Sequence, residues 1–495
     1  MRVAFPAQNS LDTIAIPQVV IKDEGRHPII PILVALQHLY ADQPRRQRLM
    51  DLIAQDINRH GKSSLGRPGM TYWQILVLTA VRLGCNFEYD LLQELAQEHT
   101  TLRRLLGLGT WDDEQPEKWD YRQIRDNLCK IRPETLAQIN ALVVDTGHEQ
   151  ANRPDLKVRG DSFVCETNIH YPTDASVLCD GLRKILTLAA VMASLLGLPG
   201  WRQVQHWHKA LKRLLRDLNQ ACKSKKKGAV QRRRRAYYPL LKKARKLLKR
   251  ARLLEQTVQE MLARGLPGDL AVACQADLKR LGHFLVLTEQ VVQQAHRRVM
   301  QGETIANLEK ILSVFEPHTE IICKGKAGAP VQWGRQVLVL EDQLGFIVHY
   351  QLLERGQRDQ DVGTPALQEA QAKVDNRIRS ASFDRGFHSP LNQEELAKIV
   401  AQVCVPKRGP KQAAEQEATA TPEFLEQRRR HSGVESSIHA LQSGNGLLRC
   451  RDRSERGLER YLGMAVLGRN LQVLGRLLLG HKRRTGPNRG KKKAG

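Results

Sequence analysis

The chain reads as an α/β protein in which an all-helical N-terminal domain precedes a mixed-sheet core, and a helical insertion interrupts that core. Three observations predict this. The first 155 residues show helical spacing broken by turns, whereas Lys157 to Val164 switches to alternation rich in β-formers. A second β-rich block begins near Thr319, beyond a long, leucine-striped and strongly basic stretch. The expected boundaries are 1–155 for the helical N-terminal domain, 156–200 with 316–480 for the core, 201–315 for the basic insertion and 481–495 for a basic tail. With 495 residues the chain has about three times the length of a typical domain, so more than one core is expected.

In the N-terminal part, Gly66-Arg67-Pro68-Gly69 is a breaker, and Trp73, Ile75, Leu76, Leu78, Val81 and Leu83 then form the apolar face of a helix ending near Gly84. A turn leads to a second helix with Tyr89, Leu91, Leu92, Leu95 and Ala96 inward, and Thr100 caps a third. Helix, glycine-containing turn and helix is the outline of a helix-turn-helix, and equally of any small bundle, so DNA-end reading and plain dimer or core packing both stay open. Trp111 to Pro116 is a polar break, and Pro133 to Val144 reads as a further helix.

A strand then carries Asp161, and a helix runs from Ala175 to Leu196. Between Trp201 and Arg252 stand 20 lysines and arginines and a single acid, Asp217. Leucines at 211, 214, 215 and 218, and an apolar row from Leu240 to Val258, keep a helical period through this charge. The pattern predicts a helical hairpin whose tip holds Lys225, Lys226, Lys227, Arg232, Arg233, Arg234 and Arg235, either a phosphate-tracking arm or a solvated coiled coil. Strands are expected at Thr319–Cys323, 331–340, 345–353, Ile378–Phe383 and 399–405, with helices at 365–374 and 393–398. A polar linker covers Gly409 to Ala420, and helices run on to Leu479.

Composition narrows the partner. Seventy-eight basic residues against 52 acids give a formal charge of +26 and a pI near 9.9, which points to a polyanion, and nucleic acid is the natural one. The longest uncharged apolar stretch, Ile185 to Gly197, is too short for a membrane span of about 20 residues. Met1 to Pro17 has no signal-peptide core, so a cytoplasmic protein without a membrane partner is expected. The nine cysteines lack zinc spacing and read as reduced thiols.

Three acids stand at element ends: Asp161 on the first strand, Asp384 closing a later one and Glu435 opening a late helix. Hard Mg²⁺ ions take carboxylate oxygens and keep room for water and phosphate, so three convergent carboxylates suit phosphodiester chemistry. Each also has a plain structural reading: a strand-end polar residue, a turn at Asp384-Arg385-Gly386, and a capping box in Ser432-Gly433-Val434-Glu435. Glu166, Asp174 and Asp180 are rival ligands, read as supporting residues.

The run Arg159-Gly160-Asp161-Ser162-Phe163-Val164 through Asp174, the stretch Phe383-Asp384-Arg385-Gly386-Phe387, and the helix around Val434-Glu435 and Ile438-His439-Ala440-Leu441 resemble the DDE transposases of bacterial insertion sequences. Lys324-Gly325-Lys326 before a strand pair and Gly468-Arg469-Asn470-Leu471 also fit that group, over about Gly66 to Leu479. The resemblance implies a ribonuclease H-like core and a catalytic, metal-binding triad of Asp161, Asp384 and Glu435. Two Mg²⁺ ions, replaceable by Mn²⁺, would serve cleavage at transposon ends and joining of 3′-hydroxyls to target DNA. It also implies a homodimer on double-stranded DNA, with Lys324 and Lys326 among the DNA contacts and Lys407 as a further substitute for that group's end-binding lysine. The flanking positions of the glutamate helix depart from the common pattern, holding Arg428, His431 and Gln442. The alternatives are a ribonuclease H-like nuclease that cuts without joining, and a non-catalytic DNA-binding derivative.

Overall fold

The computed structural model describes residues 2–5, 13–22, 25–59, 69–109, 119–223, 227–323, 330–407 and 421–485. The breakers at 66–68 and 111–116, the linker at 409–420 and most of the basic tail lie outside the described residues. The chain is mixed α/β and divides into two compact units, Met1–Glu166 with Arg335–Gly495, and Thr167–Gly334.

In the first unit, helices α1 (Ile29–Ala41), α2 (Gln43–Ile57), α3 (Tyr72–Gly84), α4 (Tyr89–Glu98), α5 (Thr100–Leu105), α6 (Tyr121–Leu128) and α7 (Pro133–Ala151) lead into β1 (Leu156–Glu166). Start signals explain several of them: Asp42 caps α2, Thr71 and Gln74 form a reciprocal capping box on α3, and Pro133 opens α7. All thirteen residues of α3 are buried, so this helix is part of the core. It is covered by α16 (Glu455–Thr485), which also packs on α1 and α7. The α3–α16 crossing is close because Gly84 meets Gly468: a Cβ on Gly468 would strike the Gly84 backbone, and one on Gly84 would strike Ile32 of α1. One apolar core therefore runs from the N-terminal helices into the sheet, and 1–155 is not a domain with a core of its own.

The rest of this unit supplies β3 (Gln332–Asp342), β4 (Ile347–Leu352), α12 (Asp359–Lys373), β5 (Ile378–Phe383), α13 (Pro390–Ile399), β6 (Gln402–Cys404), α14 (Pro422–His431) and α15 (Gly433–His439). The strands lie in the order β4-β3-β1-β5-β6, with β3 and β4 antiparallel and β1, β5 and β6 parallel. The short strand β2 (Glu320–Ile322) pairs antiparallel with Gln332–Gly334 at the start of β3 and completes a mixed sheet of six strands.

The second unit is built on α8 (Asp174–Leu195), α9 (Val204–Lys223), α10 (Ala229–Arg264) and α11 (Gly268–Ala295) around a core of its own. The apolar row expected from Leu240 to Val258 is buried, as are Leu211 and Leu218 of α9, and α9 packs on α10 as a hairpin. This unit begins at Thr167 rather than at 201, because Val177, Leu178, Leu182, Ile185, Leu186 and Ala189 of α8 belong to its core. Among the described residues no helix is long and apolar enough to cross a membrane.

Candidate functional site

Strands β1 and β5 run parallel with Arg159 opposite Ser382 and Gly160 opposite Phe383, so Asp161 and Asp384 come next at the same level. Paired residues share a face, and neighbouring strands lie about 4.8 Å apart, so the two acids leave adjacent strands on one side of the sheet. Asp161 accepts the Ser162 amide hydrogen at 2.7 Å. Asp384 is exposed and caps a short 3-10 turn, Arg385–Phe387, through the Arg385 N–H at 2.7 Å. The turn reading of Asp384 thus holds alongside its position beside Asp161.

The same face receives α15, which packs on β1. Its anchor is Glu341 of β3, a carboxylate only 1% exposed. Arg159 Nε donates to Glu341 at 2.7 Å, Ser437 Oγ of α15 donates to its other oxygen, and Arg159 Nη1 donates to the Arg430 carbonyl at 2.9 Å. Gly433 is small for a reason: a Cβ there would fall inside the Arg159 guanidinium. Glu435, two residues on, is exposed. The capping box expected around it does not form, since the Ser432 hydroxyl donates backward to the Arg429 carbonyl at 2.8 Å and caps nothing.

His431 lies within electrostatic reach of Asp384 and Glu435. Its Nδ1 lies 3.2 Å from Ser382 Oγ. Burial pulls its pKa below the ordinary 6.5, Asp384 and Glu435 pull it back up and Arg159 pushes it down, so the imidazole senses both acids and is neutral at pH 7. Neither Asp384 nor Glu435 is in an ion pair among the described residues. The carboxylates are hard oxygen donors on one face, a chemistry that fits Mg²⁺, although among the described residues no three His, Cys, Asp or Glu side chains are gathered as a metal cluster.

The rival acids are occupied elsewhere. Glu166 pairs with Arg449 at 2.9 Å, Asp174 with Arg298 at 2.8 Å and with Gln294, and Asp180 with His170 at 2.6 Å and Arg183 at 2.9 Å. On the opposite face of the sheet, Ser162 Oγ and Gln336 Nε2 both donate to Asp359 at the start of α12.

Of the basic residues singled out from sequence, Lys225, Lys226, Lys324 and Lys326 lie outside the described residues. Lys227, Arg233 and Arg235 are exposed at the hairpin end. Arg232 donates to the Lys227 carbonyl at 2.9 Å and Arg234 to the Val299 carbonyl at 3.1 Å, so two of the four arginines are turned onto their own unit.

Arg159, Glu341, Ser437 and His431 were not among the residues expected to form the site. Arg159 carried a signal, since a residue two before Asp161 on a strand must share its face, and His431 stood among the flanking positions of the glutamate helix; Glu341 and Ser437 carried none. No family model, no curated protein and no solved structure matches this chain.

Proposed function

We propose that the chain is a DNA transposase with a ribonuclease H-like core, in which Asp161, Asp384 and Glu435 act on phosphodiester bonds. The observation that carries this reading is the parallel register that brings Asp161 and Asp384 level at neighbouring strands, with the helix that bears Glu435 packed on β1. The charge of +26 supports DNA as the substrate.

Two Mg²⁺ or Mn²⁺ ions would be held by these three carboxylates and, when bound, supply activation of a water or 3′-hydroxyl and stabilisation of the leaving oxygen. The chain's own residues set the frame. Glu341 and Arg159 lock α15 to the sheet, fixing where Glu435 stands. His431, neutral at pH 7, offers a hydrogen bond beside the acids without competing as a cation. Lys227, Arg233 and Arg235 add phosphate contacts that position DNA without reading sequence. Two transposon ends need two sites in one assembly, so the working form is a homodimer on DNA.

The test is incubation of the full chain with Mg²⁺ and duplex DNA carrying the flanking ends of its own gene. Nicked ends followed by products joined to target DNA are expected. Nicking without joining would make it a nuclease on the same site, and DNA binding without either product would make it a non-catalytic derivative.

A further inference from the structure

At the root of the helical hairpin lies a groove of about 880 Å³. Trp201 and Trp207 form its floor, edge to face with ring centroids 5.8 Å apart and both more than nine-tenths buried. Lys243, Lys246, Lys249 and Arg250 of α10 form its wall. We propose that this groove is a second DNA-contact site, binding the sugar-phosphate backbone of duplex DNA. The proposal rests on the reading of the chain as a DNA-handling protein and adds a site separate from the hairpin tip.

Charge carries the first part of the argument. Six of the nine residues from 242 to 250 are lysine or arginine. Among the described residues none of these six is in an ion pair, whereas Arg252, two residues further on, binds both Glu255 at 2.8 Å and Glu289 at 2.6 Å. Glu255 and Glu289 are thus taken up by Arg252, and the row beside the indoles has no ion-pair partner among the described residues. A solvated helix face normally mixes signs at i, i+4 spacing, which relieves like-charge repulsion; here that repulsion stands uncompensated, and an external polyanion relieves it.

Geometry carries the second. The Arg250 guanidinium lies 5.5 Å from the Trp201 ring and 5.0 Å from the Trp207 ring, and donates to the Gly200 carbonyl at 2.5 Å. A cation held by two aromatic faces and a carbonyl is fixed before any ligand arrives, so less ordering entropy is lost on binding. Steps of three and four residues on a helix advance about 4.5 to 6 Å, a spacing that lets successive wall residues follow successive phosphates. Leu253, 64% exposed, adds to the lining an apolar surface on which a sugar can rest. A bilayer surface is flat and does not enter a groove between two helices. From Ala229 to Arg250 the helix rises roughly 30 Å, so the groove and the tip contact different stretches of a bound duplex.

The test is fluorescence anisotropy of a labelled duplex with the full chain over a range of salt. In the Lys243→Gln/Lys246→Gln/Lys249→Gln variant, the slope of log affinity against log salt is expected to fall by about 2.7, from about 0.9 for each lost phosphate contact. Affinity at low salt should drop at least tenfold. Arg250→Lys keeps the charge but loses the planar stack, and is expected to weaken binding without changing the slope. An unchanged slope and affinity in the triple variant, with wild-type chain still cutting DNA, would overturn the groove and leave the transposase reading intact. Wild-type chain that binds no duplex at any salt would overturn both. Retention on phosphatidylserine vesicles in place of duplex would overturn the groove's assignment to DNA.

Discussion

The sheet-bearing unit and one stretch of the helical unit use positive charge in opposite ways. In the sheet-bearing unit, arginines are paired with acids and often buried with them: Arg82 with Asp452 at 2.6 Å, Arg159 with Glu341 at 2.7 Å, Arg132 with Asp56, and Arg335 with Glu455. In the helical unit, the row from Lys242 to Arg250 has no acidic partner among the described residues. Paired charge fixes a fold, because a buried ion without its partner is costly. Unpaired surface charge adds little to stability and is available to a ligand. On the function proposed above, the difference would separate residues that build the site from residues that bring DNA to it.

The largest expected effect breaks chemistry without touching either kind of charge. Asp161→Ala, Asp384→Ala and Glu435→Ala should each lower cleavage by at least about a thousandfold while duplex affinity stays within about twofold, measured by single-turnover cutting and anisotropy. Loss of binding in step with cutting would mean that the acids support the fold instead.

The next effect is on stability. Asp452 is the partner of Arg82, whose side chain is 1% exposed and stacked 3.9 Å from the Tyr89 ring, and it also meets Arg460 at 3.3 Å. Asp452→Ala leaves buried guanidinium groups uncompensated and should cost about 3–5 kcal/mol in denaturant unfolding. Lys246→Gln in the helical unit should change stability by less than about 0.5 kcal/mol. Equal losses at both positions would erase the distinction between the units.

A smaller effect follows from His349, which is buried on β4 with its Nδ1 3.0 Å from Lys373 Nζ and 3.8 Å from a Glu369 oxygen, and its Nε2 near Gln351. Burial, then Lys373, push its pKa down to about 3. The folded chain therefore binds fewer protons at this site than the unfolded chain between pH 6.5 and about 3. Stability falls as pH drops through that window, by up to about 1.4 kcal/mol per pH unit. His349→Gln should flatten that part of the stability profile; an unchanged slope would assign the acid sensitivity to other groups.

The local periodicities were legible in the sequence. Alternation located β1 and placed β5 at Ile378–Phe383, and the leucine stripe located the α9–α10 hairpin. Features that depend on distant partners were not. The N-terminal helices share a core with the sheet because α16, at the far end of the chain, covers α1 and α3; nothing local to them announces it. Likewise α8 looks like any amphipathic helix until its partners α9 to α11 are known. The helix α12 begins at Asp359 rather than at Pro365, since the proline sits inside it, where a sequence reading takes proline as a start. At the site, the element ends carrying Asp161, Asp384 and Glu435 could be read. The Arg159–Glu341–Ser437 anchor joins three segments far apart in sequence and could not.

Metal-specific rescue tests the central claim most directly. A thiolate is a soft ligand that serves Mg²⁺ poorly and Mn²⁺ better. Asp384→Cys, and separately Asp161→Cys, should therefore be inactive on end DNA in Mg²⁺ and regain cutting in Mn²⁺, with duplex affinity the same in both. Activity in Mg²⁺ close to wild type, or no recovery in Mn²⁺ for either variant despite normal folding and binding, would contradict the assignment of these acids as metal ligands for DNA cleavage.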